Sequence, residues 1–157
     1  MHINKRNLLH IAIQKLELEI ASFREVVKRE EGAMQDAPSA RDTWSDTTRS
    51  QKESLVGVLQ KQYNEISKAL NALKQIKIMS SEKIGIGALV ELEEDKKRIL
   101  YLILPGTRMK LEVDNIAVEL ISSASPTAQA LYDHKEGETV KIKVPAGIRT
   151  LKILRVQ

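Results

Sequence analysis

Two heptad stripes of apolar residues, separated by a short proline-containing stretch, most constrain what this chain can fold into. The first stripe has steps of four and three residues and consists of Leu9, Ile13, Leu16, Ile20, Phe23 and Val27. The second stripe follows a similar alternation and consists of Leu55, Leu59, Gln62, Ile66, Ala69, Leu73 and Ile76. Residues at this spacing share one face of a helix that packs along a narrow seam. The pattern therefore predicts two long helices.

The stretch between the stripes predicts a turn that folds the second helix back on the first. Gly32 lies near the expected end of the first helix, Pro38 forbids its continuation, and a second helix begins at about Thr47. Each arm of roughly 27 residues would extend about 40 Å. We expect an antiparallel hairpin within one chain. The alternative is a structural coiled coil that forms a dimer, because a two-helix seam can also pair between chains.

The residues after Ile78 predict β structure, with Met79-Ser80-Ser81 as a short linker. Strands are expected at 88–93, 99–104, around 117–122, at 139–144 and at 148–156, where apolar residues alternate with polar ones or form short runs. Ser125 and Pro126 predict the N-cap and first residue of a short helix. The fold class is therefore α+β. A helical hairpin at 1–78 is followed by a small, mostly antiparallel sheet of about five strands at 79–157.

Composition excludes several classes of function. The chain has 157 residues, a net charge of +4, 3% aromatic residues and no cysteine. The lack of cysteine excludes a disulfide framework and a thiolate nucleophile. The three histidines, His2, His10 and His134, are too scattered to suggest a metal or catalytic site. No apolar run approaches the roughly 18 residues that cross a bilayer, so we expect a soluble, cytoplasmic protein without a membrane partner.

Carboxylates cluster in the predicted turn of the hairpin. Asp36, Asp42 and Asp46 would be held at the far end of a stalk, with Trp44, the only tryptophan, among them. An ordinary structural interpretation is available, because Asp is a common helix N-cap and Trp44 can cover the end of the seam. The functional interpretation is delivery of negative charge into a site on a partner that is too narrow for a globular domain.

Three motifs in the C-terminal half resemble one protein family. They are the stretch from Ile121 to Leu131 with its Ser-Pro helix start, the turn Glu136-Gly137-Glu138, and the hairpin Val144-Pro145-Ala146-Gly147. In this order and spacing they resemble the C-terminal domain of the bacterial transcription elongation factors GreA and GreB, which has an FKBP-like fold. The length and the helical N-terminal half are also similar to the family, so the resemblance covers the whole chain.

The resemblance implies a concrete mechanism. Factors of this family dock at the rim of the secondary channel of bacterial RNA polymerase and pass their coiled coil down it. The acidic tip then helps to hold a second Mg²⁺ and to orient a water, so that the polymerase cleaves its own backtracked transcript. The implied partners are the polymerase and the nascent RNA 3′ end. The factor would be monomeric, would bind no cofactor alone, and would have no enzymatic activity of its own.

At the tip, the resemblance implies that Asp42, Trp44, Ser45 and Asp46 lie near the polymerase active centre, with Asp42 and Asp46 sharing its Mg²⁺. The family pattern is Asp, two residues, Glu, then Asn, and here Ser45 stands at the Glu position and Asp46 at the Asn position. Serine cannot replace the charge of Glu. Entry into the channel is therefore expected with either of two effects: cleavage stimulation, or regulation or inhibition without cleavage.

Two further sets of residues follow from the resemblance. The basic residues near the tip are similar to a family patch that contacts the extruded RNA end, and they are Arg24, Lys28, Arg29, Arg41, Arg49 and Lys52. Interleaved glutamates allow a plain solvated face instead. Ser125 and Pro126 match the turn through which the family contacts polymerase. A prolyl isomerase activity would rest on fold analogy alone, and the scarcity of aromatic residues argues against it.

Overall fold

A computed structural model describes residues 3–35, 46–78 and 81–157, with residues 31, 33–35 and 46–53 described by their backbone alone. Two long helices, α1 (Lys5–Gln35) and α2 (Asp46–Gln75), form the N-terminal half. Asn4 caps α1, since its Oδ1 accepts hydrogen bonds from the backbone N–H groups of Arg6 at 3.0 Å and Asn7 at 3.4 Å. Helices of about 30 residues extend roughly 45 Å.

The two helices run antiparallel and pack against each other within one chain. Near the sheet, Lys74 Nζ lies 2.6 Å from Glu17 Oε1. Farther along the stalk, Arg24 donates hydrogen bonds to the hydroxyl of Tyr63. As the residue number increases along α1, the number of its partner on α2 therefore decreases, which shows that the two helices are antiparallel. Within the described residues, α1 packs against α2 of the same chain, as the hairpin prediction requires.

The predicted stripes differ from the observed seam in two places. In α1, Leu16 and Ile20 are buried as predicted, but Leu8 and Ala12 are fully buried because they also face the sheet. In α2 the predicted register is wrong toward the tip, where Leu55 is 49% exposed and Gln62 is exposed. The observed seam of α2 is made by Leu59, Tyr63, Ile66, Leu70 and Leu73. Apolar residues at 55–56 and 69–70 fit both registers, so periodicity alone could not separate them.

A six-stranded sheet forms the C-terminal half. Its strands are β1 (Leu89–Glu94), β2 (Lys97–Leu104), β3 (Met109–Val113), β4 (Ile116–Ser122), β5 (Thr139–Val144) and β6 (Gly147–Val156). A short helix, α3 (Pro126–Leu131), lies between β4 and β5. The strand order is β3-β4-β2-β1-β6-β5. The α+β class is confirmed. The mostly antiparallel sheet is confirmed, with β2 and β4 as its one parallel pair, and β3 is a sixth strand that was not predicted.

Strand β3 carries a weak signal that explains why it was missed. Met109, Leu111 and Val113 alternate with charged residues over only five positions. The two-residue loop to β4 is Asp114-Asn115, and both residues have positive φ, of 54° and 60°. This loop is a tight hairpin of the mirror-image kind, which most often contains glycine. Because the loop lacks glycine, its sequence did not indicate a hairpin, and β3 was missed although β4 was predicted.

Both faces of the sheet are buried, one by the base of the helical hairpin and the other by α3. Leu102 and Leu104 of β2 pack with the base of the helical hairpin, including Leu8. Their neighbours Tyr101 and Ile103 point to the opposite face, where α3 packs. The hairpin is thus seated on the sheet through a continuous apolar core, and its remaining length projects as a stalk.

The turn after β2 also touches the stalk. Gly106 has a φ of +63°, and a Cβ built on it would lie 3.4 Å from the Cβ of Ala69 in α2. Glycine therefore satisfies both a left-handed backbone and a close approach between the sheet and the helix.

Candidate functional site

The predicted acidic tip is joined to the far ends of both helices. Asp36, Asp42, Trp44 and Ser45 lie outside the described residues, as does Arg41. Asp46 is the first residue of α2, and Arg49 and Lys52 follow in its first two turns, where the structure describes the backbone alone. The roles predicted for these residues, including the sharing of Mg²⁺ by Asp42 and Asp46, stay predictions.

Three residues of the predicted basic patch lie on α1 within the described range. Arg24, Lys28 and Arg29 are all exposed. Arg24 does not simply point into solvent, because its Nε and Nη2 donate hydrogen bonds of 3.1 and 3.0 Å to Tyr63 Oη on α2. Its guanidinium carbon also lies 5.7 Å from the centroid of the Tyr63 ring, within range of a cation–π contact. Arg24 therefore bridges the two helices.

This contact changes the acidity of the tyrosine. The Arg24 hydrogen bond, with a smaller contribution from Ser67, lowers the pKa of Tyr63 because it favours the phenolate. Sequence reasoning missed Tyr63 as a site residue. The available signal was an aromatic residue near the middle of α2, at a position that an antiparallel hairpin brings opposite Arg24.

A shallow groove of about 140 Å³ lies across the helices at this point. It is lined by Arg24, Val27, Lys28, Gln60 and Tyr63. Cationic side chains, an amide and an aromatic ring are the groups that contact phosphates and bases along a single nucleic acid strand. Two of the predicted patch residues thus lie together on one surface, while Arg29 does not line the groove.

The predicted docking turn is held by an interlocking set of hydrogen bonds. Ser125 is the N-cap of α3, with its hydroxyl accepting from the N–H of Ala128 at 3.2 Å, and Pro126 follows as the first helical residue. The carbonyl of Ser123 accepts from Gln129 Nε2 at 2.7 Å and from Tyr132 Oη at 3.2 Å. The predicted helix start is confirmed. Pro126 is exposed, and the docking role of the turn stays a prediction.

The segment that leads into the sheet is tied to the loop after α3. The N–H of Ile84 donates to the carbonyl of His134 at 2.9 Å, and the N–H of Asp133 donates to the carbonyl of Ile84 at 3.0 Å. His134 also contacts Glu138 through Nδ1 and Oε2, and this contact lowers the pKa of Glu138. The loop after α3 is thereby anchored beside the base of the stalk.

The described residues contain neither a metal-ligand cluster nor a membrane-spanning helix. Within residues 3–35, 46–78 and 81–157, no three His, Cys, Asp or Glu side chains come together as metal ligands would. In the same part of the chain, no helix combines the length and apolar character needed to span a membrane.

The fold and the sites described above define a stalked α+β protein, in which a two-helix hairpin projects from a sheet domain. Residues 79–157 match the family model described as "Transcription elongation factor, GreA/GreB, C-term". This match covers half of the chain, so the chain belongs to the GreA/GreB family of transcription elongation factors.

Of the similar proteins, some are named elongation factors and others are named inhibitors. The transcription elongation factor GreA of Orientia tsutsugamushi is 29% identical over 155 residues, covering 97% of this chain and 86% of the relative. The transcription inhibitor protein Gfh1 of Thermus thermophilus is 24% identical over 151 residues, covering 92% of this chain and 89% of the relative. The crystal structure of Thermus aquaticus Gfh1 is 19% identical with a TM-score of 0.41, covering 93% of this chain and 94% of that one. Members of this family are accessory transcription factors and are not enzymes themselves.

Proposed function

We propose that this protein binds bacterial RNA polymerase through its sheet domain and inserts the far end of its helical hairpin into the secondary channel. The observation that carries the proposal is the stalk itself. It is two helices wide, the helices that form it are roughly 45 Å long by the rise of an α-helix, and their base is seated on the sheet by a continuous core. A seated, narrow stalk can deliver side chains to a place that the sheet domain cannot enter.

The proposed consequence of insertion is modulation of elongation from within the channel. Asp42 and Asp46 would share the Mg²⁺ of the polymerase active centre, since hard divalent cations take carboxylate oxygens. A second ion stabilises the attacking or leaving oxygen in phosphoryl chemistry, which is how the tip would promote cleavage of a backtracked transcript.

A second candidate is a factor that occupies the channel and inhibits without cleavage. Two observations favour it: Ser45 removes a carboxylate from the position where the family pattern has Glu, and one relative is named a transcription inhibitor. Both candidates use the same stalk and the same docking, so they differ only in what the tip does.

The stalk groove and the docking turn have distinct parts in this proposal. Arg24 and Lys28 line a groove that would contact the nascent RNA 3′ end through its phosphates, an interaction that weakens as salt is raised. Pro126 is exposed at the start of α3 and would contact the polymerase, while Ser125 holds the turn in shape.

The deciding experiment uses purified polymerase in stalled, backtracked complexes with Mg²⁺. Binding is measured by pull-down, and 3′ cleavage products and elongation rates are measured in the same complexes. The tip variant carries Asp42→Asn and Asp46→Asn. The matched control carries Asp95→Asn and Asp114→Asn, which make the same charge change at exposed turns of the sheet domain, where positive φ suits Asn.

We expect the wild type and both double variants to bind polymerase, with the effect on catalysis lost only in the tip variant. Cleavage products with the wild type support the cleaving factor. A change in the elongation rate without cleavage products supports the channel inhibitor. If the wild type does not bind polymerase, both candidate functions are contradicted. They are also contradicted if the tip variant has the same effect on catalysis as the wild type.

A further inference from the structure

A large open cleft lies where the stalk meets the sheet domain. It has a volume of about 890 Å³, and four segments of the chain line it. They are residues 3–6 around the start of α1, residues 78, 81 and 82 of the connection, residues 135–136 after α3, and residues 155–157 at the end of β6. This volume falls within the range of about 300–1,000 Å³ that is typical of small-molecule sites. The predicted tip, patch and docking residues are not among its lining residues.

The charges around the cleft are predominantly positive and come from separate segments. Arg6 at the start of α1, Lys135 after α3 and Arg155 on β6 all line it, together with Lys5. Burial lowers the pKa of Lys5, which means that its ammonium group is partly withdrawn from water. Basic side chains that converge from three segments on one concavity raise the local concentration of anions.

The remaining lining restricts which anion fits. Glu82 and Glu136 also line the cleft, so a ligand that is negatively charged over its whole surface would meet repulsion. Carboxylates can instead accept hydrogen bonds from hydroxyl or amino groups of a ligand. Ile3, Ile78 and Val156 supply an apolar wall for an uncharged part.

The cleft continues onto the sheet. A smaller cavity of about 280 Å³ shares Ile3, Arg155 and Gln157 with it and extends over the sheet, where its lining residues are Leu89, Glu91, Arg98 and Leu100. A ligand longer than a single phosphate group can therefore extend from the charged junction onto the surface of the sheet.

We infer that this cleft binds a small phosphorylated molecule of nucleotide size. Its phosphates face the basic side chains, its hydroxyl or amino groups face the two glutamates, and its planar part lies on the apolar wall. Because α1 supplies one side of the site and the sheet domain the other, the bound molecule also bridges the junction and stiffens the base of the stalk. This inference goes beyond the proposed action on polymerase and does not depend on it.

The test is isothermal titration of the full chain, without polymerase, against ATP, GTP and inorganic pyrophosphate as separate probes. The site variant carries Arg6→Glu and Lys135→Glu, and a milder version carries Gln at both positions. The matched control carries Lys141→Glu and Lys143→Glu on strand β5, where both lysines are exposed and do not line the cleft. Circular dichroism and thermal melting check that each variant is folded.

We expect saturable binding of ATP or GTP to the wild type and the control, at least tenfold tighter than binding of pyrophosphate. The Glu variant should bind at least tenfold more weakly, and the Gln variant should be intermediate. Absence of saturable binding by any probe overturns the inference. Equal affinity of the site variant and the control for the nucleotide also overturns the inference, because the anion would then bind elsewhere. If pyrophosphate binds as tightly as ATP, the inference that the ligand is of nucleotide size is overturned.

Discussion

The guanidinium of Arg24 donates two hydrogen bonds to the hydroxyl of Tyr63, at 3.1 and 3.0 Å, and thereby joins the two helices of the stalk. Side-chain contacts of this kind matter in a two-helix element, because each helix buries only one face and has no third layer to support it. The contact also places a cation next to a phenol on the surface that we propose meets RNA.

Replacing Arg24 with Gln should raise the pKa of Tyr63 toward the ordinary tyrosine value of about 10, because the hydrogen bonds that favour the phenolate are lost. Ultraviolet difference titration, with Tyr63→Phe used to assign the signal, measures the change. Lys28→Gln is the control, since it removes the same charge one turn away on the same groove and should leave most of the shift in place. An unchanged Tyr63 titration in Arg24→Gln would show that the contact does not form in solution.

Stability should depend on pH through Glu94, whose two carboxylate oxygens accept from Arg149 Nε and Nη2 at 2.6 Å each. The Arg149 hydrogen bonds lower the pKa of Glu94 below its usual value of about 4.3. A lowered pKa adds stability above the unfolded-state value, and that stability disappears as the pH falls through the folded-state value.

Arg149→Met should therefore reduce the free energy of unfolding by about 1 kcal/mol at pH 7, and by clearly less at pH 3. Urea unfolding at the two pH values provides the measurement. Arg98→Met is the control, because Arg98 is 75% exposed in its contact with Glu91 and should contribute little at either pH. Equal losses at both pH values would argue against the charge pair and for simple packing.

The shared core between stalk and sheet should make Leu8 far more important than Leu18 on the same helix. Leu8 is fully buried between α2 and the sheet, whereas Leu18 is 71% exposed. Leu8→Ala should lower the free energy of unfolding by about 2–5 kcal/mol, because it leaves a cavity. Leu18→Ala should change it by no more than about 0.5 kcal/mol. Urea unfolding compares the two. A comparable loss in both variants would contradict the seating of α1 on the sheet.

The cap of α3 should depend on the hydroxyl of Ser125 and not on the side chain of Ser123. Ser125→Ala removes the acceptor of the Ala128 N–H and should cost about 0.5–2 kcal/mol. Ser123→Ala should be nearly neutral, because Gln129 and Tyr132 bond to its backbone carbonyl. Thermal unfolding of both variants is the measurement. If Ser123→Ala is the more damaging change, the turn is held differently from the arrangement described.

Local patterns were sufficient to predict several parts of this molecule. The heptad spacing predicted two helices with an antiparallel fold-back, and Ser125 with Pro126 predicted the start of α3. The alternation in 88–93 and the run from Ile99 to Leu104 predicted strands within a residue or two of β1 and β2. In each case the signal lies within a few residues of the structure it predicts, so no knowledge of distant contacts was needed.

What only the tertiary structure decided involves residues far apart in the chain. The choice of Tyr63 over Gln62 for the seam depends on which face of α2 meets α1 and the sheet, because neighbouring apolar residues made two registers almost equivalent. The parallel pairing of β2 with β4, the pairing of Glu94 with Arg149 and the junction cleft all join segments separated by more than ten residues. Periodicity reports which face of an element is apolar, but burial depends on what packs against that face, and that is determined only when the whole chain folds.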